Sequence, residues 1–125
     1  MRVLVADDDR TSRLVLSMVL RKGGFEPVEV KDGNEAMEVL TGEDPPGIAL
    51  LDYNMPGLYG VDVVKRLRER ENGPACYVIL LSGSQSGNTR GEALEAGADQ
   101  YVSKPFDKEV LLEMLREGAR RVGGG

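Results

Sequence analysis

Five short apolar segments divide the chain at intervals, at residues 3–6, 27–30, 48–51, 76–81 and 101–102. Three of them are continuous runs without the polar alternation of a strand that has one face in water. A continuous run of this length is typical of a strand covered on both faces, as in a parallel sheet. The pattern therefore predicts five strands inside an α/β domain.

The segments between and after these strands carry apolar residues three and four positions apart, the spacing of one helix face. These positions are Leu14, Val15, Met18 and Val19; Ala36, Val39 and Leu40; Val63, Val64 and Leu67; and Leu111, Leu115, Ala119 and Val122. Glycine follows each group, at positions 23, 42, 73 and 123, as is common where helices end. Four helices are predicted in this way.

A fifth helix is predicted at residues 86–97, where the helical pattern is weakest. Gly87 and Gly91 lie inside it, and each glycine costs about 1 kcal/mol relative to alanine in a helix interior. We expect this helix to be the most mobile of the five.

Strands that alternate with helices across short linkers imply right-handed crossovers and a parallel sheet with helices on both faces. We predict a three-layer, five-stranded α/β fold. The chain has 125 residues, which fits one domain of this kind. We assign it to residues 1–122 and interpret the glycines at 123–125 as a tail or the start of a linker.

Composition and charge narrow the class of function. The net charge of −5 argues against nucleic-acid binding, and we interpret the basic clusters at residues 65–70 and 120–121 as solvated helix faces. No segment is apolar enough to span a membrane, and no signal peptide is visible, so we expect a cytoplasmic protein. The single cysteine, Cys76, lies in an apolar run, which predicts an inert buried thiol.

The chain contains no histidine, which excludes histidine-based catalytic pairs and histidine metal ligands. Any metal must be bound through carboxylate oxygen, and this favours Mg²⁺, Mn²⁺ or Ca²⁺ over Zn²⁺.

Polar side chains follow four of the predicted strands, and the carboxyl ends of parallel strands share one edge of a sheet. The residues are Asp7, Asp8, Asp52, Ser82 and Lys104. Each alone is typical of a helix cap, a turn or a solvated side chain. Their coincidence at four strand ends indicates a site instead.

Three carboxylates held together repel one another unless a cation binds or a pKa rises. A divalent ion held by Asp8 and Asp52 would relieve this repulsion, and Asp7 could contribute through a bound water. An aspartate beside Mg²⁺ and an ammonium is suited to accept a phosphoryl group.

Four stretches carry a resemblance to a known family: VLVADDD at 3–9, LLDYNMPGLYG at 50–60, LLSGS at 80–84 and GADQYVSKPF at 97–106. Over essentially its whole length the chain resembles the receiver domain of two-component response regulators, and in particular the chemotaxis regulators. The resemblance implies a doubly wound, flavodoxin-like sheet with the strand order 2-1-3-4-5.

The resemblance also implies a role for each site residue. Asp52 would be the phosphoacceptor, and Mg²⁺ or Mn²⁺ would bind at Asp7, Asp8, Asp52 and the backbone carbonyl of Asn54. Ser82 and Tyr101 would be the switch residues and Lys104 the partner of the phosphate, with a cis bond between Lys104 and Pro105. The residues to which the resemblance gives a role are Asp7, Asp8, Asp52, Asn54, Ser82, Tyr101, Lys104 and Pro105.

The implied mechanism is a signalling switch and not an enzyme. A sensor histidine kinase or histidine phosphotransfer protein would donate its phosphoryl group to Asp52. The face formed by the fourth helix, fifth strand and fifth helix would then change and act on an output domain or protein target. A phosphorylation-dependent dimer is compatible with this mechanism, whereas direct nucleic-acid or membrane binding by the domain is not expected.

The chain departs from the family pattern at Tyr59, where an aspartate or asparagine commonly precedes the glycine of the third loop. We therefore expect the third helix to lack a side-chain cap. Asn54 and Ser84 occupy the two variable positions that tune phosphate lifetime in the family.

Two other functions fit part of the sequence. Asp7, Asp9 and Thr11 match the D-x-D-x-T signature of haloacid-dehalogenase-like phosphatases, in which Asp7 would be the nucleophile and Asp9 the acid and base. That hypothesis lacks a later acidic pair and leaves Asp52 unexplained; in the receiver interpretation Asp9 instead helps to start the first helix. A flavodoxin-like ligand binder would need a phosphate loop after the first strand, where this chain has three acids.

Overall fold

Five strands and five helices alternate along the chain in the computed structural model, which describes residues 1–70, 75–83 and 89–122. The strands are β1 (Arg2–Ala6), β2 (Glu26–Val30), β3 (Ile48–Asp52), β4 (Tyr77–Ser82) and β5 (Gln100–Ser103). The helices are α1 (Arg10–Lys22), α2 (Gly33–Leu40), α3 (Gly60–Glu69), α4 (Thr89–Ala96) and α5 (Lys108–Val122). The predicted elements are therefore all present.

All neighbouring strands pair in parallel, in the order β2-β1-β3-β4-β5. The predicted topology is confirmed. The order reverses between β1 and β3, so the residues that follow these two strands lie side by side at the carboxyl edge.

Alternate residues of the strands enter two separate cores, because successive side chains of a strand point to opposite faces. Leu4 and Ala6 belong to the core beneath α2, α3 and α4, whereas Val3 and Val5 belong to the core beneath α1 and α5. Every residue of β3 and β4 is buried, as expected for central strands between two helical layers. The three-layer prediction is confirmed.

Several predicted boundaries shift by one or two residues. β4 begins at Tyr77 and not at Cys76, which is partly buried just before the strand. Burial raises the pKa of the Cys76 thiol to about 11, consistent with an unreactive side chain.

The helix ends also differ from the predicted glycines: helix α2 ends at Leu40, before Gly42, and α3 ends at Glu69. The predicted helix at 86–97 is described as α4 from Thr89, and Ser84, Gly87, Gly73 and the tail at 123–125 lie outside the described residues.

The charged residues of the basic cluster at 65–70 lie on an exposed helix face, as predicted, but Arg68 also has tertiary partners. Its guanidinium donates to the carbonyls of Gly97 (2.9 Å) and Cys76 (3.0 Å) and to the carboxylate of Asp99 (2.9 Å). The same Asp99 oxygen accepts the backbone N–H of Val78 at 2.8 Å. The pair of Arg68 and Asp99, which we call the amino-end bridge, thus joins α3 to the loops before β4 and β5.

Candidate functional site

Three carboxylates meet at the carboxyl edge of the sheet, where β1 and β3 end. One carboxylate oxygen from each of Asp7, Asp8 and Asp52 lies within 4.8 Å of the others. Asp7 is completely buried and Asp52 is 9% exposed, whereas Asp8 is open to solvent. We call this group the acidic pocket. Its donor set of hard carboxylate oxygens with one open side fits a divalent ion such as Mg²⁺.

Lys104 supplies the positive charge of the site from the loop after β5. Its ammonium lies 3.3 Å from Asp7 Oδ2 and 3.4 Å from Asp52 Oδ2. The backbone N–H of Lys104 donates to the carbonyl of Ser82 at 2.8 Å, and the bond to Pro105 is cis. The sequence-predicted residues of β1, β3 and β5 are thus in direct contact.

The charge balance of the pocket shows in two pKa values. The pKa of Asp52 is raised to about 6, chiefly by burial and also by the Asp7 carboxylate, while Lys104 and the backbone N–H of Asn54 oppose the rise. Desolvation lowers the pKa of Lys104, but Asp52 and Asp7 outweigh it, so that the pKa lies above its usual value. The pKa of Asp52 therefore stays above its usual value despite the nearby ammonium, and a bound cation would favour the charged form of this carboxyl group.

The loop after β1 is held by hydrogen bonds around Asp7 and Asp9. The Asp9 backbone N–H donates to Asp7 Oδ1 at 2.9 Å, and the Asp9 side chain accepts from the backbone N–H of Ser12 at 3.0 Å. That bond to Ser12 lowers the pKa of Asp9. Asp9 is the N-cap of α1, which confirms its predicted role in starting the helix.

The loop after β3 continues the sheet for one residue beyond Asp52. The Tyr53 N–H donates to the carbonyl of Leu81 at 2.7 Å, and the Gly60 N–H donates to the carbonyl of Tyr53 at 3.0 Å. A Cβ at Gly60 would lie 2.4 Å from the carbonyl oxygen of Asp52, so only glycine fits there. Tyr59 makes no side-chain cap at α3, as predicted, and the Asn54 N–H lies 3.3 Å from Asp52 Oδ1.

Two tyrosine hydroxyls meet the first turn of α4. Tyr101 is buried, and its hydroxyl lies 2.6 Å from Thr89 Oγ1. The Tyr53 hydroxyl donates to the carboxylate of Glu92, which raises the pKa of Tyr53 to about 12. The fully buried Ser82 ends β4, one register position beyond the partner of Asp52. The structure thus places Tyr101 against the first turn of α4 and Ser82 at the carboxyl end of β4, next to the strand that ends in Asp52.

Sequence reasoning missed Arg13, Tyr53 and Glu92. Arg13 lies three positions before the buried Leu16 and seven before the buried Leu20. Because residues with this spacing share one face of a helix, the sequence could have predicted Arg13 on the inward face of α1. The contact between Tyr53 and Glu92 joins residues 39 positions apart, and no local pattern predicts it.

The fold and the site together define a class: a doubly wound parallel domain with an acidic, metal-compatible pocket and a paired lysine at its carboxyl edge. The model of one family, the response regulator receiver domain, matches residues 3–116. The chain belongs to this family, as its sequence predicted, and the comparisons give no support to the phosphatase alternative.

Individual relatives agree with this assignment. The transcriptional regulatory protein CseB of Streptomyces coelicolor is 40% identical over 121 residues, which cover 97% of this chain and 50% of that protein. The transcriptional regulatory protein PrrA of Mycobacterium bovis is 43% identical over 98% of this chain and 51% of its own. The structure of the receiver domain of Francisella response regulator 1452 superposes with a TM-score of 0.85 at 30% identity, covering 96% of this chain and 97% of that one.

The chain spans about half the length of the curated relatives it matches. The comparisons therefore establish a receiver domain, and the activities of whole regulators are not transferred with it. Among the helices that the structure describes, none is long and apolar enough to cross a membrane.

Proposed function

We propose that Asp52 accepts a phosphoryl group from a phosphohistidine of a partner protein, and that this modification switches the face formed by α4, β5 and α5. The observation that carries the proposal is the surplus of acid around Asp52: two further carboxylates in the acidic pocket, with the Lys104 ammonium 3.4 Å away. A partner histidine is required because this chain has none.

In the transfer, a carboxylate oxygen of Asp52 forms a bond to phosphorus while the bond from phosphorus to the histidine nitrogen breaks. The electron pair of that bond stays on the imidazole, which leaves neutral with its other nitrogen protonated. Lys104 lies where it would pair with the oxygens of the new phosphate, and catalysis in such transfers is mainly positioning and charge neutralisation.

A bound Mg²⁺ or Mn²⁺ would neutralise charge on the transferring oxygens. Asp7, Asp8 and Asp52 would hold it through their carboxylates and Asn54 through its backbone carbonyl. The carboxylate separation of the acidic pocket supports this ligand set, since hard oxygen donors suit both ions.

The switch would run from Ser82 and Tyr101 to α4. A phosphate on Asp52 offers Ser82 a new acceptor, and Tyr101 already contacts Thr89 in the first turn of α4. We propose that a movement of Ser82 is transmitted to Tyr101 and to α4, the described helix with the weakest amphipathic pattern. The domain performs chemistry on its own aspartate only, so we propose a signalling module and not an enzyme with a separate substrate.

A groove of about 460 Å³ between α1 and the start of α5 is the surface we propose for the phosphodonor. It adjoins Lys104, so a helix seated in it is close to Asp52. Its walls are apolar and its rim is basic, which favours a helix with an apolar stripe flanked by acids. The residues that form it include Val15, Met18, Phe106, Lys22, Lys104 and Lys108.

The output would be a further domain or a protein target in the cytoplasm. CseB and PrrA are named transcriptional regulators, and this chain matches about half of each. Its net charge of −5 supports a control domain that acts on a partner by protein contact rather than by binding nucleic acid itself.

The test is the intact mass of the protein after incubation with acetyl phosphate and Mg²⁺. We expect one phosphoryl adduct on the wild type, none in EDTA and none on Asp52→Asn. The matched control is Asp9→Asn, which keeps a capping side chain and should accept the adduct. An adduct that persists on Asp52→Asn but is lost in Asp7→Asn would overturn the proposal in favour of a nucleophilic Asp7.

A further inference from the structure

Arg13 connects three parts of the fold: helix α1, the loop after β1 and strand β2. Its Nη1 donates to the backbone carbonyl of Asp7 at 2.8 Å, and its Nε lies 3.6 Å from Glu29 Oε1 at the end of β2. The side chain is only 18% exposed. An arginine held by a backbone carbonyl and a carboxylate has a fixed orientation, because its donors form a rigid planar fork.

The carbonyl that Arg13 binds belongs to the peptide unit that joins Asp7 to Asp8. The N–H of Asp7 donates to the carbonyl of Val30 at 3.3 Å, so the backbone of Asp7 is anchored on one side by β2. With its carbonyl held by Arg13, rotation of the next peptide plane is also restricted. That plane sets the direction in which the exposed Asp8 leaves the backbone.

We propose that Arg13 is a positioning residue for the metal-binding carboxylates: by fixing the peptide between Asp7 and Asp8, it holds Asp8 in register with Asp7 and Asp52. This inference rests on the proposed function, in which those carboxylates bind Mg²⁺. Residues that orient metal ligands through a hydrogen bond typically change affinity by about 10-fold to 100-fold when removed.

A role through charge alone makes the opposite prediction. The guanidinium of Arg13 binds the carbonyl of Asp7, so its positive charge lies next to the acidic loop. If charge were its main contribution, its removal would reduce the repulsion of a dication and tighten Mg²⁺ binding. If Arg13 positions the loop, its removal weakens binding despite the favourable change in charge. The sign of the change therefore separates the two roles.

The experiment is a titration of the whole chain with Mg²⁺, without any phosphodonor. Binding is measured by calorimetry and by the shifts of the amide resonances in the loop after β1. Arg13→Gln removes the fork and its charge, and Arg13→Lys keeps the charge but has only one nitrogen to donate. Arg21→Gln is the matched control, since it removes the same charge from the exposed last turn of α1. Far-UV circular dichroism checks that each variant is folded.

We expect Arg13→Gln to weaken Mg²⁺ binding by about tenfold, Arg13→Lys to weaken it by less, and Arg21→Gln to match the wild type. Mg²⁺ binding by Arg13→Gln that equals or exceeds that of the wild type would overturn the inference and leave the proposed function intact. Failure of the wild type to bind Mg²⁺ would overturn the metal site of the proposed function and this inference with it.

Discussion

Acidic and basic side chains are matched one to one at the amino end of the sheet, whereas acids outnumber bases at its carboxyl end. At the amino end, Asp99 is matched by one cation, Arg68, and the bonded oxygen of Asp99 also accepts the N–H of Val78. At the carboxyl end, Lys104 faces two carboxylates directly, and the acidic pocket holds three. Burial, together with the Asp7 carboxylate, raises the pKa of Asp52 to about 6, whereas the amino-end bridge is a balanced pair.

This difference separates charge that serves the fold from charge that serves a ligand. A matched pair with filled hydrogen bonds joins elements and needs nothing further. A group of acids with too little positive charge destabilises the metal-free domain, and the domain becomes more stable when a cation binds or a modification neutralises the acids. The following experiments perturb one end and use the other as the reference.

The largest expected effect is that of Mg²⁺ on stability. At 100 times its dissociation constant, Mg²⁺ should raise the wild-type free energy of unfolding by about 2.7 kcal/mol, because it binds the folded state only. Asp8→Asn removes one ligand and should lose most of this gain at the same concentration. Urea unfolding with and without Mg²⁺ measures this gain in stability. The control is Glu38→Gln, which removes the same charge from an exposed position on α2 and should keep the full gain. An equal loss of the gain in Glu38→Gln would indicate a nonspecific charge effect.

A smaller effect is expected at the amino end. Arg68→Gln removes hydrogen bonds to Gly97, Cys76 and Asp99, and we expect a loss of about 1–2 kcal/mol, limited by the solvent that reaches the pair. The response to Mg²⁺ should be unchanged. Arg66→Gln, exposed on the same helix, should stay within about 0.5 kcal/mol of the wild type. Equal losses in both variants would show that the bridge contributes nothing specific.

The smallest effect concerns the link from the carboxyl end to α4. Tyr53→Phe removes the hydrogen bond to Glu92 and should cost about 0.5 kcal/mol, since both groups are accessible to water. Amide hydrogen exchange should accelerate in α4 and remain unchanged in α5. Uniform acceleration in both helices would show global destabilisation instead of a local link.

Much of the fold was predictable because continuous apolar runs and helical spacing report burial directly. The residues at the strand ends were predictable for a related reason: a parallel sheet brings strand ends to one edge whatever the intervening sequence. The strand order came from the family resemblance, since apolar pattern alone does not say which strands are neighbours.

The tertiary roles of arginines were not predicted. The sequence predicts a solvated position for Arg68, yet this residue lies four positions after the buried Val64, at the edge of the buried stripe of α3. Its acceptors at Cys76, Gly97 and Asp99 lie 8, 29 and 31 residues away. An arginine on a buried stripe indicates an internal partner, but only the folded chain shows which carbonyl or carboxylate it meets.

The most direct test compares Asp52→Asn with Asp99→Asn in EDTA, by the free energy of unfolding between pH 4 and pH 7. The pKa of Asp52 is about 6 in the folded state, against an ordinary value of 3.8 that applies to the unfolded chain. The stability that protonated Asp52 contributes is therefore fully present below pH 3.8 and is lost as the pH rises through 6. Asp52→Asn should therefore be more stable than the wild type at pH 7, with an advantage that fades toward pH 4, while Asp99→Asn should be less stable at pH 7. A destabilised Asp52→Asn at pH 7, or the same sign for both variants, would contradict the distinction between the two ends.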